Sequence, residues 1–309
     1  MLSKSSTIFI AGHKGMVGAA ILRKLKKNRF KNIITIEKKK VNFLNQDKTH
    51  KFLKKKKPEY VVICAAVVGG IDYNSKFKSK FLYENLQIQN NLIHGAYLAG
   101  TKNLIFLGSS CMYPKKSKTP IKEDQLLSGI LEETNDAYVL AKISGLKLCE
   151  YYSKNFNVNY RTLMPCNIYG PGDNYDLKKS HFYPALIKKI LLAKKNKKRT
   201  IEIWGTGKPK REVLHVDDLA EAIFFFMKKK MTDYYVNIGS GKEFSIIWYA
   251  KFIMKVLNFR FKIILKKTMP DGVKSKLINS SKAKKYGWKP KINLKKGLLN
   301  TLENLKVFN

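Results

Sequence analysis

Long uncharged apolar runs are missing from this 309-residue chain, which excludes a membrane-spanning helix of ordinary length. Cysteine is scarce. Cys64, Cys111, Cys149 and Cys166 form no CxxC pair and have no histidine at zinc-ligand spacing, so neither a disulfide framework nor a structural metal is expected. The opening "MLSKSSTIFIAG" has too short an apolar stretch for a secretory signal, so a reduced, cytoplasmic protein is expected. Acid is thin as well, with 22 Asp and Glu against 61 Lys and Arg, for a formal charge of +39. Yet arginine supplies only six of those cations: Arg23, Arg29, Arg161, Arg199, Arg211 and Arg260. Proteins that read nucleic acid draw on arginine's flat, bidentate fork. Lysine scattered along the whole chain, beside much asparagine and isoleucine, instead suggests a coding bias toward A/T-rich codons at solvated positions. No specific nucleic-acid partner and no membrane partner are expected, whereas an anionic small-molecule substrate would be drawn in.

What the chain does have is alternation. "TIFIAG", "NIITIE", "YVVICAA", "NLIFLGSS" and "VNYRTLMPCNIYG" read as strands. Between them, "GMVGAAILRKLKKN", "DKTHKFLKKKK", the stretch 81–99 and "AYVLAKISGLKLCEYYSKN" carry helical spacing of apolar residues. This predicts an α/β fold of Rossmann type, a doubly wound parallel sheet with ligands at the carboxyl ends of its strands. After about Gly170 the pattern is less regular, with "HVDDLAEAIFFFMKK" a helix capped by Asp217 or Asp218. A smaller, discontinuous C-terminal substrate lobe is therefore expected. The predicted boundaries are 1–171 for the nucleotide domain, with 212–240 returning to it, and 172–211 plus 241–309 for the lobe.

"AGHKGMVGAAIL" places Gly12, Gly15 and Gly18 between the first strand and the first helix, with His13, Lys14, Met16 and Val17 in the turn. Glycine there permits a tight turn, approach of a pyrophosphate to backbone N–H groups, and close helix–strand packing. A dinucleotide is the expected ligand. Glu37 at the end of the second strand suits the ribose of NAD, whereas Lys14, Lys38, Lys39 and Lys40 suit the 2′-phosphate of NADP. The cations favour NADP, with Glu37 arguing the other way.

"GSSCMYP" follows the fourth strand and puts Ser109 and Cys111 where that strand opens into a loop. In "AYVLAKISG", Tyr138 and Lys142 are four apart and share one helix face. A tyrosine near a lysine and a nicotinamide is expected to have a lowered pKa and to protonate an oxyanion, while Ser109 hydrogen-bonds the same oxygen. Such a set needs no thiol. Taken singly, Cys111 reads as a small buried thiol, and His181 in "KSHFYPAL" as a helix cap.

With these residues the chain resembles the extended short-chain dehydrogenase/reductase superfamily. "VVGGI", "FLGSSCMYPK", "RTLMPCNIYGP", "SHFYPALIKK" and "IWGTGKPKREVLHVDD" narrow the resemblance to the GDP-L-fucose synthase family. That resemblance implies NADPH-dependent 3,5-epimerisation and 4-reduction of GDP-4-keto-6-deoxy-D-mannose. It assigns the epimerisations to Cys111 and His181, and the reduction to Ser109, Tyr138 and Lys142. It adds Leu107, Gly108, Ser109, Ser110, Pro165, Cys166, Asn167, Ile168 and His181 as cofactor contacts. For the sugar nucleotide it implies Lys189, Trp204, Arg211, Asp271 and Lys276. It also implies a homodimer through two helices per subunit, one of them carrying Tyr138. Two departures stand out: Val67 where the family often has a basic residue, and lysines where relatives place arginines near the 2′-phosphate. A different nucleotide-sugar 4-epimerase or reductase is the alternative, and a non-catalytic dinucleotide sensor a third.

Overall fold

The computed structural model describes residues 2–177, 179–268 and 271–305. In chain order its first elements are β1 (Ile8–Ala11), α1 (Met16–Lys27), β2 (Ile33–Ile34), α2 (Gln46–Lys56), β3 (Tyr60–Ile63), α3 (Ile71–Lys76) and α4 (Lys78–Leu98). Then come β4 (Asn103–Leu107), α5 (Asp136–Asn155), β5 (Asn159–Pro165), β6 (Asn167–Tyr169), α6 (Phe182–Lys195) and β7 (Thr200–Trp204). The last are β8 (Lys210–His215), α7 (Val216–Lys228), β9 (Tyr235–Ile238), β10 (Glu243–Ser245), α8 (Ile246–Val256), β11 (Lys262–Lys266), α9 (Ser281–Lys285) and α10 (Leu294–Glu303).

Six strands form one parallel sheet in the order β2-β1-β3-β4-β5-β9. Its inner strands are apolar at nearly every position because helices cover both faces. Ile8 and Ile10 of β1 enter a core shared with α1 and α7, while Phe9 and Ala11 enter the opposite core against α2 and α4. The order reverses between β1 and β3, which opens a crevice at the carboxyl ends of those strands. The expected doubly wound α/β class is what the chain adopts.

Two local expectations are corrected. "NIITIE" keeps only Ile33 and Ile34 as strand, because this edge segment turns away at 37–41, where Lys40 and Val41 donate their backbone N–H to the Glu37 carbonyl. Helix α7 is capped by His215, whose Nδ1 accepts from the Asp217 backbone N–H at 3.2 Å. Asp217 is instead paired with Arg23, and Asp218 accepts from the backbone of Lys291 and Ile292.

At Cys166 the chain passes from one sheet to another. Pro165 is the last rung of β5 against Ile238, and Asn167 begins β6, which pairs with Val213 of β8. Strands β10-β8-β6 make a three-stranded sheet, and β11 pairs with β7 in parallel. A separate apolar core under α6 and α8 fills this region. Its edge is tied down by Glu212, fully buried, whose carboxylate accepts from the backbone N–H of Gly241 and Ile278. Among the described residues no helix is long and apolar enough to cross a membrane.

Candidate active site

The glycine turn lies at the mouth of the crevice. Gly12 has φ +88°, and a Cβ there would sit 2.7 Å from the Ala65 backbone nitrogen at the end of β3. A Cβ on Gly18 would collide with the Gly12 carbonyl, so Gly18 lets α1 start directly behind the turn. Gly15 has space: a Cβ would meet nothing nearer than the Gly12 carbonyl at 3.5 Å. Gly15 also caps α1 without a side-chain bond, leaving first-turn N–H groups free for an anion. The Nδ1 of His13 is buried with no partner among the described residues. A groove of about 290 Å³ runs from this turn past Glu37 and Lys38. These features fit a dinucleotide. Gly18→Ala is expected to cost about 1–3 kcal/mol in stability through overpacking and to weaken dinucleotide binding. Denaturant unfolding with an NADPH fluorescence titration checks this, and an unchanged titration would count against the turn as the pyrophosphate cradle.

Charge around the groove is partly spent internally. Glu37 pairs with Lys14 at 2.7 Å and with Lys39 at 3.4 Å, and those two cations hold its carboxyl below the usual range. Lys14 therefore answers Glu37 first. Lys38 lines the groove with no ion pair among the described residues.

Ser109 and Cys111 sit where β4 opens into a short 3-10 turn, 110–112, and Ser109 Oγ accepts from the Cys111 backbone N–H at 3.1 Å. Helix α5 is brought against β4 by Gly145, where a Cβ would be 2.6 Å from the Phe106 ring. Lys142 is buried, donates to the Leu107 carbonyl at 2.9 Å and lies 4.6 Å over the Phe106 ring. Burial pulls its ammonium down to about 8. Tyr138 is half-buried one helical turn earlier, its ring centroid 5.8 Å from that ammonium. The expected lowering of the Tyr138 phenol is not seen in the protein's own field. Burial, then the neighbouring Cys111, push it up.

The Cys111 thiol moves the other way. Burial alone would raise it, but the Lys276 ammonium, the Ser109 hydroxyl and Arg211 outweigh burial and bring it below the usual thiol range. Lys276 Nζ donates to Cys111 Sγ at 3.5 Å. Arg211 of β8 is held by the Lys210 and Val273 carbonyls. Asp271 accepts from the Thr206 backbone and hydroxyl at 2.6 and 2.7 Å, which lowers its carboxyl. Beyond Gly205, Trp204 is 47% exposed, with Lys189 5.4 Å over its ring.

His181 precedes α6 as its cap and makes no side-chain bond to that helix. It is open to solvent on one side, while the surrounding protein desolvates its imidazole and lowers it. The 179–181 segment is docked by a hydrogen bond from Gly70 N to the Lys179 carbonyl, beyond the end of β3. No bond or ring contact among the described residues joins His181 to Cys111 or Tyr138. Leu107 accepts the Lys142 bond, Cys166 N donates to Ile238, and Asn167 Nδ2 donates to the Glu212 carbonyl. Pro165 to Ile168 are thereby fixed at the end of β5.

A family model described as the NAD dependent epimerase/dehydratase family matches residues 8–239. The chain belongs to that family. GDP-L-fucose synthase 1 of Arabidopsis thaliana is 44% identical over 98% of this chain and 94% of its own length. The GDP-6-OMe-4-keto-L-xylo-heptose reductase from C. jejuni has a TM-score of 0.93 at 34% identity, covering 100% of this chain and 99% of that one. The GDP-mannoheptose C4 reductase of Campylobacter jejuni with NADP bound has a TM-score of 0.90 at 34% identity, covering 99% of this chain and 100% of that one. Within the family the chain stands with the GDP-L-fucose synthases.

Three supports of this epimerase/dehydratase site were not picked out from the sequence. Asn85 of α4 clamps the Val67 backbone, accepting from its N–H at 2.8 Å and donating to its carbonyl at 3.0 Å. Gln89, one turn on, donates to the Ala141 carbonyl at 2.5 Å and so fixes the helix that carries Tyr138 and Lys142. Two amides at i, i+4 on a face otherwise built from Phe81 and Leu92 are the signal that marks them. Asp173, in the "PGDN" turn, has a buried Oδ2 without a partner among the described residues, and burial pushes its carboxyl up to about 7.

Proposed function

We propose that this chain converts GDP-4-keto-6-deoxy-D-mannose to GDP-L-fucose with NADPH, by epimerisation at C3 and C5 followed by reduction at C4. The observation that carries this is the convergence of a cation-paired thiol, Cys111, with Ser109, Tyr138 and Lys142 around the end of β4. A reductase alone has no use for an acidified thiol beside its phenol. In this reading Cys111 and His181 exchange protons at the carbons flanking the ketone, where enolate formation makes modest general acid–base groups sufficient. Ser109 hydrogen-bonds O4, Tyr138 delivers the proton to it, and Lys142 orients the ribose beside them. Gly12 to Gly18, Leu107 to Ser110 and Pro165 to Ile168 would hold the NADPH, which supplies the hydride. Arg211 suits the pyrophosphate of the sugar nucleotide, with Lys189, Trp204 and Asp271 around its remaining parts.

Preference for NADP over NAD rests on Lys38, with Lys14 and Lys39 offsetting Glu37. A homodimer through α4 and α5 is supported by exposed Tyr83 on the first and exposed Leu140 and Tyr151 on the second. Four free cysteines suit the cytoplasm. The deciding experiment is incubation with GDP-4-keto-6-deoxymannose and NADPH. GDP-L-fucose is the expected product. A 4-hydroxy sugar with C3 and C5 uninverted would instead make the chain a GDP-sugar 4-reductase, a second reading favoured by its likeness to the Campylobacter reductases.

A further inference from the structure

We infer that Lys276 is a positioning residue for the epimerase half of the site, holding Cys111 as a thiolate and so making it the group that takes a proton from the sugar. The inference rests on the function proposed above. By resemblance Lys276 belongs only to the sugar-nucleotide contacts, yet its ammonium lies 3.5 Å from Cys111 Sγ, 165 residues away in sequence. The segment that carries it is fastened by other atoms. Ser275 Oγ donates to both oxygens of Glu243, at 2.9 and 2.8 Å, and the Lys276 backbone N–H donates to the same carboxylate at 3.3 Å. Glu243 thus holds the backbone and leaves the ammonium to the thiol. No carboxylate among the described residues pairs with Lys276 Nζ.

The groups that face the thiol from each packed element are few. They are Ser109 from the end of β4, Tyr138 from α5, Arg211 from β8 and Lys276 from the 271–278 segment. Two are cations, one is a hydroxyl, and one is a phenol held neutral by burial. Arg211 is anchored to the Lys210 and Val273 carbonyls, so the contact that can track the sulfur is that of Lys276. An ordinary thiol ionises near about 8.5 and is mostly protonated at neutral pH; an adjacent cation favours the thiolate. The thiolate takes the proton next to the ketone: a C–H bond breaks, an S–H bond forms, and the electron pair enters the enolate. A proton arriving on the opposite face inverts the carbon, and the proton on sulfur returns to solvent.

The test reads the thiol directly. Iodoacetamide alkylation of the Cys111 peptide is followed by mass spectrometry across pH 6 to 9 in the NADPH-loaded enzyme, for the parent chain, Lys276→Met and Lys276→Arg. Lys276→Met is expected to slow alkylation at neutral pH by about tenfold, as a one-unit rise in thiol pKa requires. Lys276→Arg should restore most of the rate. Solvent deuterium entry into the GDP-linked 4-keto sugar should fall in parallel and recover at higher pH, with little change in KM. An unchanged alkylation profile in Lys276→Met, with KM raised, would overturn the inference and leave a sugar contact only. Coupled alkylation without any deuterium entry in the parent chain would overturn the proposed function while the Lys276–Cys111 pairing stood. Lys276→Gln, with an unchanged melting curve, guards against a folding defect.

Discussion

Tyr138→Phe is expected to slow NADPH oxidation by about 10²–10⁴-fold while solvent deuterium enters the sugar at close to the parent rate. The change removes one hydroxyl from a half-buried ring and disturbs little else. Helix α5 stays on β4 through Gly145 against Phe106 and through Gln89 on the Ala141 carbonyl. The Tyr138 hydroxyl bonds to no protein group among the described residues, so its partner in turnover would be the sugar oxygen. Burial keeps the phenol protonated, which is the form able to donate. In the proposed division of labour, enolisation at the neighbouring carbons uses other groups and should survive. Absorbance of NADPH and mass spectrometry of the recovered sugar separate the two steps. Equal loss of both, with NADPH still bound, would count against the division of labour, and undiminished oxidation would remove Tyr138 as the acid.

What the sequence made legible was whatever backbone geometry demands of residue type. Gly12 and Gly18 stand where a Cβ would strike backbone, and the apolar strands stand where both faces are covered. The i, i+4 spacing of Tyr138 and Lys142 is likewise a local property. Long-range partners were not legible. In a chain so rich in lysine, nothing local ties Lys276 to Cys111: the resemblance marks it as a sugar contact, and its pairing with the thiol comes only from the fold. Asn85 and Gln89 look like ordinary polar residues until the helix face they share is known to be buried. His215 caps α7 because the helix starts at Val216, which puts Asp217 and Asp218 inside its first turn, where they bond Arg23 and the backbone at 291–292. The expected effect of Lys142 on Tyr138 missed for a similar reason: burial outweighs it, and spacing along a helix cannot show how deep a phenol lies.

Cys111→Ala is expected to cut deuterium entry at C3 and C5 by about 10²–10⁴-fold and to shift the product toward a reduced sugar with both centres uninverted. The fold should tolerate it. The turn after β4 is fixed by the bond from the Cys111 backbone N–H to Ser109 Oγ, which alanine retains, and the lost atom comes from a half-buried position. Ser109, Tyr138 and Lys142 are untouched, so hydride transfer to whatever ketone is bound should continue, and NADPH titration should match the parent chain. Cys111→Ser is the sharper companion. It preserves size and a hydrogen bond to Lys276, but an alcohol beside an ammonium gives up its proton far less readily than a thiol does. If basicity is what matters, the serine variant fails like alanine; if only shape matters, it behaves like the parent. Normal deuterium entry in both variants would leave the thiol without a role, reduce the Lys276 contact to packing, and assign epimerisation to groups elsewhere in the cleft.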